Sequence, residues 1–412
     1  MTNSVKRVVV ADDSSFLREL LSSYLNSSPE LEVIGTACNG QEALDLVHEL
    51  QPDVVTLDVD MPVLSGPEVL IKIMQSQPTP TVMVSGVSSR SAEITMQAVK
   101  DGAVDFILKY VPGQKVDPEA MRLDVIAKVK AAASVKVIRT LGSRIANDTG
   151  DFLNHERKEQ KSSSFNPPAP TRLGEFPQDQ PQKLNKVNLQ FAQQLQGRGG
   201  HWGDTPSLDI VVIGASTGGP VCVKNLLRRL PIDFPFPIVV VQHMPKPFTD
   251  VFAAQVNSQT SCRASVVRGS QPLLPGHVHI APGDQHLILA TGTTLDVNNG
   301  PEIGGHRPSI DVTMSSIAQR FPGRIYGILM TGMGKNGASG LAYIHSKGGR
   351  TFAQSADTCV VNGMPQCAID MEVVDFIGSP EIIADQLMLD ILHRQMQQQI
   401  NVNPGTKQTV YN

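Results

Sequence analysis

Residues Asp209-Ile-Val-Val-Ile-Gly-Ala-Ser-Thr-Gly-Gly-Pro220 run an apolar strand straight into a serine set among small residues and glycines. Ile210–Ile213 reads as a buried strand, and Pro220 followed by Val221, Leu226, Leu227 and Leu230 reads as a helix with proline in its first turn. Ser216 therefore belongs on the strand-to-helix turn, with its hydroxyl lifted out of the sheet beside helix-start N–H groups that can stabilise an oxyanion. Gly214, Gly218 and Gly219 permit the torsions and close approaches such a turn needs. This is the geometry of a hydrolase nucleophile elbow, although the motif is not Gly-x-Ser-x-Gly. Taken alone, the segment also fits a phosphate-binding or turn-forming glycine loop.

Working outward, the chain of 412 residues is long enough for two or three domains, each with its own core. Aromatic residues are only 5% of it, so those cores should be aliphatic. A formal net charge of -4 argues against a nucleic-acid-binding surface. The five cysteines (Cys38, Cys222, Cys262, Cys359 and Cys367) form no C-x-x-C pair, which fits reduced thiols in a cytosol. No signal-peptide core follows Met1, and no stretch approaches the roughly 20 apolar residues that span a bilayer. A cytoplasmic protein with no membrane insertion is expected.

Strands and helices alternate upstream of the serine turn. Strands are expected at Val8–Ala11, Glu32–Ala37, Val54–Leu57, Thr81–Ser85 and Asp105–Leu108, with helices from Ser14, from Gln41, after Pro67, from Ala92 and from Pro118. Such alternation implies a doubly wound, five-stranded parallel sheet covered on both faces, over residues 1–130. The last of these helices is expected to continue to about Leu141. Residues 131–206 read as that extended helix and a polar, low-complexity linker, with one transient helix at Lys186–Leu195. From 207 to 398 aliphatic strands resume at Ile210–Ile213, Ile238–Val241, His277–Ala281, Leu287–Leu289, Ile325–Met330 and Arg350–Ala353. This second α/β domain should have a mostly parallel sheet and an antiparallel hairpin around Ala281-Pro-Gly-Asp284, with a polar tail over 399–412.

The first domain places Asp12 and Asp13 at the end of strand one, Asp58 at the end of strand three, Ser85 after strand four and Lys109 after strand five. In a doubly wound sheet these ends converge. Three carboxylates in one pocket repel each other unless a hard cation such as Mg²⁺ joins them. That cation would also neutralise a phosphoryl group arriving on Asp58, with Ser85 and Lys109 binding its oxygens. The set resembles the receiver domains of two-component response regulators. The resemblance implies Asp58 as phospho-acceptor and Ser85 and Lys109 as phosphate sensors. It further implies Mg²⁺ held by Asp12, Asp13, Asp58 and the backbone carbonyl of Asp60, and a histidine kinase as phosphodonor. Phe106 matches the aromatic that changes rotamer on activation, and Tyr110 stands where receivers usually carry proline.

A serine nucleophile needs a base, and Val239-Val-Val-Gln-His-Met-Pro245 places His243 at the end of the next strand. His277, His279 and His286 read as packed or exposed rather than catalytic, with no ligand cluster for zinc. Leu329-Met-Thr-Gly-Met-Gly-Lys-Asn-Gly337 supplies a third loop at the same edge, but Leu329 and Asn336 both fail the phosphate-loop pattern. Together with Ala281-Pro-Gly-Asp284, His306-Arg-Pro-Ser-Ile-Asp311 and Asn362-Gly-Met-Pro365, these motifs resemble the chemotaxis protein-glutamate methylesterase family over about 207–395.

That resemblance implies hydrolysis of glutamyl methyl esters on methyl-accepting chemoreceptors, with deamidation of receptor glutamines as a second family activity and no cofactor for the esterase. Ser216 would attack, His243 would carry the proton, and the N–H groups of Thr217 and Met333 would form the oxyanion hole. Asn336 stands where the family has an aspartate. Its oxygen can accept a bond from the imidazole, but its NH₂ turned toward the ring would select the wrong tautomer. Asp311 and Asp357 are the candidate substitutes for that carboxylate. A catalytically weakened receptor-binding adaptor or phosphate sink is the alternative that Asn336 raises.

Overall fold

The computed structural model describes residues 4–109, 117–135 and 209–402. The receiver part runs β1 (Lys6–Ala11), α1 (Ser15–Asn26), β2 (Leu31–Ala37), α2 (Gly40–Leu50), β3 (Val54–Asp58), α3 (Gly66–Ser76), β4 (Thr81–Ser85), α4 (Ser89–Lys100), β5 (Asp105–Leu108) and α5 (Pro118–Ala133). Its sheet has the order β2-β1-β3-β4-β5, with every pair parallel. Strands buried on both faces explain the unbroken Val/Ile/Leu runs, and Val8, Val10, Val54, Val82 and Ile107 pack against Leu21, Leu25, Val125 and Val129 from helices α1 and α5. Sequence order departs from spatial order after β1, so the carboxyl ends of β1 and β3 open one crevice, where Asp12 and Asp58 sit.

Helix α5 ends at Ala133, where Ser134 caps it, rather than running on toward Leu141. Tyr110, the Lys186–Leu195 segment, the stretch assigned to a linker beyond Val135 and the tail beyond Val402 lie outside the described residues.

The second part runs β6 (Asp209–Ala215), α6 (Gly219–Arg229), β7 (Ile238–Gln242), α7 (Lys246–Gln259), β8 (Arg263–Val266), β9 (Gln271–Pro272), β10 (His277–Ile280), β11 (His286–Thr291) and β12 (Thr294–Asn298). It continues with α8 (Ile310–Arg320), β13 (Arg324–Leu329), α9 (Ala338–Ser346), β14 (Arg350–Gln354), α10 (Gly363–Asp370), β15 (Phe376–Gly378) and α11 (Pro380–Val402). Seven strands form a parallel sheet, β15-β14-β13-β6-β7-β10-β8, and three form an antiparallel one, β11-β12-β9.

Antiparallel pairing is present, but not around Ala281–Asp284. Strand β10 pairs parallel with β7 and β8, so the Pro-Gly-Asp turn leads out of the main sheet and the hairpin closes at Gly292-Thr293 between β11 and β12. A Pro-Gly-Asp turn signal marks a reversal without saying which sheet the next strand joins. Strands β9 and β15, of two and three residues, are too short to show a period, and β8 and β12 alternate polar and apolar residues over only four and five positions, so none of the four announces itself. The core of this part joins Ile210, Val212, Val239 and Val241 of the central strands to Ile310, Met314 and Ile317 of α8 and Leu341 and Ile344 of α9.

Candidate functional site

Strands β13, β6 and β7 are neighbours at the middle of the seven-stranded sheet, so the loops following them meet at one edge. Ala215 pairs with Gln242 and Leu329 with Gly214, which sets Ser216, His243 and the Thr331–Gly337 loop side by side. The serine turn is tied down from both flanks. Ser216 N–H donates to Thr331 O at 2.9 Å, and Gln242 Nε2 donates to Ser216 O at 2.9 Å and to His243 O at 3.1 Å. Thr331 Oγ1 donates to Thr217 O at 2.9 Å. Gly218 takes φ of 76°, a torsion a side chain rarely adopts, and turns the chain into α6. At Gly332 a Cβ would lie 2.7 Å from Ser216 Cβ, so glycine there lets the third loop close on the serine. Gln242 and Thr331 are positioning residues that motif reading did not single out; both lie inside quoted motifs.

His243 N–H donates to Ala215 O at 3.0 Å, and its ring Nε2 lies 3.2 Å from Asn336 Oδ1. Two further bonds fix the amide. Ile310 N–H donates to Asn336 Oδ1 at 2.7 Å, and Asn336 Nδ2 donates to Ser309 Oγ at 3.0 Å. Turning the amide over would set NH₂ against the Ile310 N–H, donor against donor, so the oxygen faces the ring. His243 Nε2 accordingly carries the proton, and Nδ1 presents its lone pair. Nδ1 is buried without a partner, and among the described residues Ser216 Oγ makes no hydrogen bond, so serine and imidazole are not joined in this conformation. Burial holds the His243 imidazole neutral, helped by neighbouring His306 and opposed by the bond to Asn336, with its pKa brought down to about 3.

Among the described residues the backbone N–H groups of Thr217 and Met333 have no acceptor, leaving two donors at the edge of the serine turn. Neither Asp311 nor Asp357 serves His243. Asp311 Oδ1 accepts the Gly340 N–H at 2.7 Å, tying α8 to α9, and Asp357 is exposed on the loop after β14. His279 and His286 are buried and spent on structure: Leu274 N–H donates to His279 Nε2 at 3.0 Å, and Ser309 N–H donates to His286 Nδ1 at 3.1 Å.

In the receiver crevice, ligand oxygens of Asp12, Asp13 and Asp58 lie within 4.8 Å of one another. Lys109 Nζ is 2.6 Å from Asp58 Oδ2 and 3.2 Å from Asp12 Oδ2. Burial raises the Asp58 carboxyl to about 6; the Lys109 hydrogen bond opposes this and the Asp12 charge adds to it. Burial works against the Lys109 charge, yet its carboxylate partners outweigh that and its pKa rises. Asp60 N–H reaches Asp58 Oδ1 at 3.3 Å. Ser85 Oγ is buried and accepts the hydroxyl of Thr95 at 2.6 Å, a partner ten residues on that no motif announced.

The start of β5 touches the serine turn and α7. Thr217 Oγ1 donates to Asp105 Oδ2 at 2.5 Å, and the Phe106 ring stacks on Phe248 of α7 with centroids 4.2 Å apart and planes within 6°. Lys128 Nζ lies 5.7 Å from the Phe106 ring centre on the other side.

Residues 211–387 match the CheB methylesterase family, and residues 8–118 match the response regulator receiver domain family. A protein-glutamate methylesterase/protein-glutamine glutaminase of Methanococcus maripaludis is 36% identical over 378 residues, spanning 91% of this chain and 94% of the relative. Its counterpart in Symbiobacterium thermophilum is 35% identical over 382 residues, 92% of this chain and 96% of the relative. The crystal structure of the Thermotoga maritima CheB methylesterase catalytic domain is similar at 36% identity, covering 43% of this chain and 96% of that one, with a TM-score of 0.42. Among the described residues no helix is long and apolar enough to cross a membrane.

Proposed function

Since the chain belongs to the protein-glutamate methylesterase/protein-glutamine glutaminase family, we propose that it hydrolyses glutamyl methyl esters of chemoreceptors through Ser216, His243 and Asn336, under control of phosphorylation at Asp58. The seating of Asn336 Oδ1 between Ile310 N–H and His243 Nε2 carries this reading, because it puts the ring proton on Nε2 and leaves His243 Nδ1, which has no hydrogen-bond partner, free to act as a base. Ser216 Oγ attacks the ester carbonyl carbon as its proton passes to His243 Nδ1. The carbonyl oxygen, now negative, accepts the N–H groups of Thr217 and Met333. Collapse breaks the ester C–O bond, and His243 returns the proton to the leaving methanol. Water then attacks the acyl-serine, again giving His243 a proton, and releases the glutamate side chain and free Ser216. With a glutamine substrate ammonia leaves in place of methanol.

The charged crevice suits a phosphoryl-accepting carboxylate. Three carboxylates within 4.8 Å of one another, two of them on Lys109, are the donor set of a hard cation, so Asp12, Asp13, Asp58 and the carbonyl of Asp60 would hold Mg²⁺, which offsets the charge of an incoming phosphoryl group. Lys109 and Ser85 would bind its oxygens. Strand β5 begins with Asp105 and Phe106 on the esterase and is followed by Lys109 on Asp58, so movement at one end is felt at the other. In the unphosphorylated protein the receiver covers the serine turn; phosphorylation uncovers it. A histidine kinase is the phosphodonor, chemoreceptors are the substrates, and the cytoplasm is where they meet.

Methanol release from methylated receptor membranes, with and without acetyl phosphate, tests this. Wild-type protein should release methanol faster when phosphorylated, and Ser216→Ala should release none. Undiminished release by Ser216→Ala would remove the assignment.

A further inference from the structure

His306 lies in the His-Arg-Pro-Ser-Ile-Asp motif, and none of the steps above uses it. Its backbone is held by a two-way bridge, His306 N–H to Ile303 O and Ile303 N–H to His306 O, each 3.2 Å. Its ring lies flat on the His243 ring, with centroids 4.0 Å apart and planes within 10°. Among the described residues neither His306 ring nitrogen has a hydrogen-bond partner, and the residue is half-buried. One imidazole face is therefore spent entirely on the base, on a ring that already has Asn336 at Nε2. We propose that His306 is a positioning residue for the hydrolysis: its neutral ring is the platform that supports the imidazolium formed on His243 during turnover, and protonation of His306 removes that support.

The physical case rests on what His243 lacks. Each half-reaction places a proton on a buried imidazole whose only hydrogen-bonding partner is an uncharged amide. A stacked π face attracts a cation and partly replaces the missing carboxylate. The same stacking becomes repulsive once His306 carries a charge of its own, at a separation where screening by water is poor. Charged groups reach His306 from several elements: Asp124 and Lys128 on α5 while the receiver covers the site, and Glu302 on its own loop and Asp311 on α8 in either state, besides His243 beneath it. Burial keeps it below the ordinary histidine range and Lys128 adds to that, while the three carboxylates oppose it. Both rings are then neutral at pH 7, and because carboxylates face His306 whereas the His243 ring has only the uncharged Asn336 amide, His306 is the ring that charges first as the pH falls. The acid limb of the esterase profile thus belongs to His306.

This inference rests on the Ser216–His243 assignment, and the two fail separately. Methanol release by the full chain, with Mg²⁺ and acetyl phosphate, is followed from about pH 5 to 8 for wild type, His306→Phe, His306→Ala and Ser216→Ala. The receiver is identical in all four, so a difference between limbs belongs to residue 306 or 216. His306→Phe keeps a ring and cannot be charged; it should stay within about threefold of wild-type kcat at pH 8 and move the acid limb down by about one pH unit or more. His306→Ala should lose about tenfold in kcat at pH 8 with little change in KM. An acid limb of His306→Phe that superimposes on wild type, an inactive but folded His306→Phe, or a His306→Ala with wild-type kcat overturns the proposal. Activity in Ser216→Ala overturns the assignment beneath it instead. Imidazole ¹⁵N shifts of the wild-type protein give a reading that needs no variant: His306 should titrate before His243, and the reverse order refutes the platform role.

Discussion

The backbone N–H of Ile310 and the side-chain oxygen of Asn336 lie 2.7 Å apart, and this bond decides which way the amide faces His243. A carboxylate at 336 would accept from both donors by symmetry. An amide has one accepting end, and the Ile310 N–H claims it for the side that also meets His243 Nε2. The ring is thereby held in the tautomer a base needs, and the reason for reading this chain as an inactive adaptor falls away. What the asparagine does not supply is charge.

Asn336→Asp should therefore raise kcat by about 10- to 100-fold. The loss of about 10⁴ seen for Asp-to-Asn in a serine protease includes a wrong tautomer; here only the charge is missing, and methoxide leaves more readily than an amine. Ser309 Oγ, which now accepts from Asn336 Nδ2, can rotate to donate to the new carboxylate. Steady-state methanol release by wild type and variant checks this. An unchanged or lower rate means that charge at 336 is not limiting.

Gln242→Leu should lower kcat by about 10-fold while leaving KM near wild type. Its Nε2 bonds to the carbonyls of both Ser216 and His243, so the leucine keeps the volume and removes the one tie shared by nucleophile and base. A change confined to KM would place Gln242 in substrate binding instead.

Asp58→Asn should abolish labelling by a small phosphodonor and at the same time stabilise the receiver. A carboxyl near 3.8 in the unfolded chain and about 6 in the fold binds more protons when folded. Its contribution to stability is present below about pH 4 and is lost as pH rises through 6. At pH 8 without Mg²⁺ the variant should melt a few degrees above wild type, and the gap should close toward pH 4. A gap of constant size across that window would show that burial of the charge is not its source.

Much of this site is legible from residue order because it is built on strand ends. Asp58, Lys109, Ser216 and His243 each follow an apolar run, and parallel sheets bring such ends together whatever the loops do. The turn after Ala281 shows the limit: its chemistry announces a reversal, but the pairing of β10 depends on contacts 40 residues distant in the chain for β7 and 14 for β8. The facing of the Asn336 amide is hidden for a similar reason, since it depends on a backbone donor 26 residues upstream. Thr217 and Asp105 are 112 residues apart, and no periodicity or motif relates them; only packing of one part on the other does.

That contact yields the last prediction. Asp105 is buried, and loss of water raises its carboxyl, while Lys128, the Thr217 hydroxyl and the Phe106 N–H pull the other way. A carboxyl group is retained there at a desolvation cost, and its second oxygen is satisfied only while Thr217 stays in place. Asp105→Ala removes this tie without altering Asp58, Lys109 or Ser216. A buried polar group left without its partner costs about 1–3 kcal/mol, so the loss should raise the uncovered population, and with it unphosphorylated methanol release, by about tenfold. Phosphorylated activity should change little, because the contact is already broken in that state. Equal basal rates for Asp105→Ala and wild type would mean that the Phe106–Phe248 stack alone holds the receiver over the site, and Phe248→Ala would then be the variant that releases it.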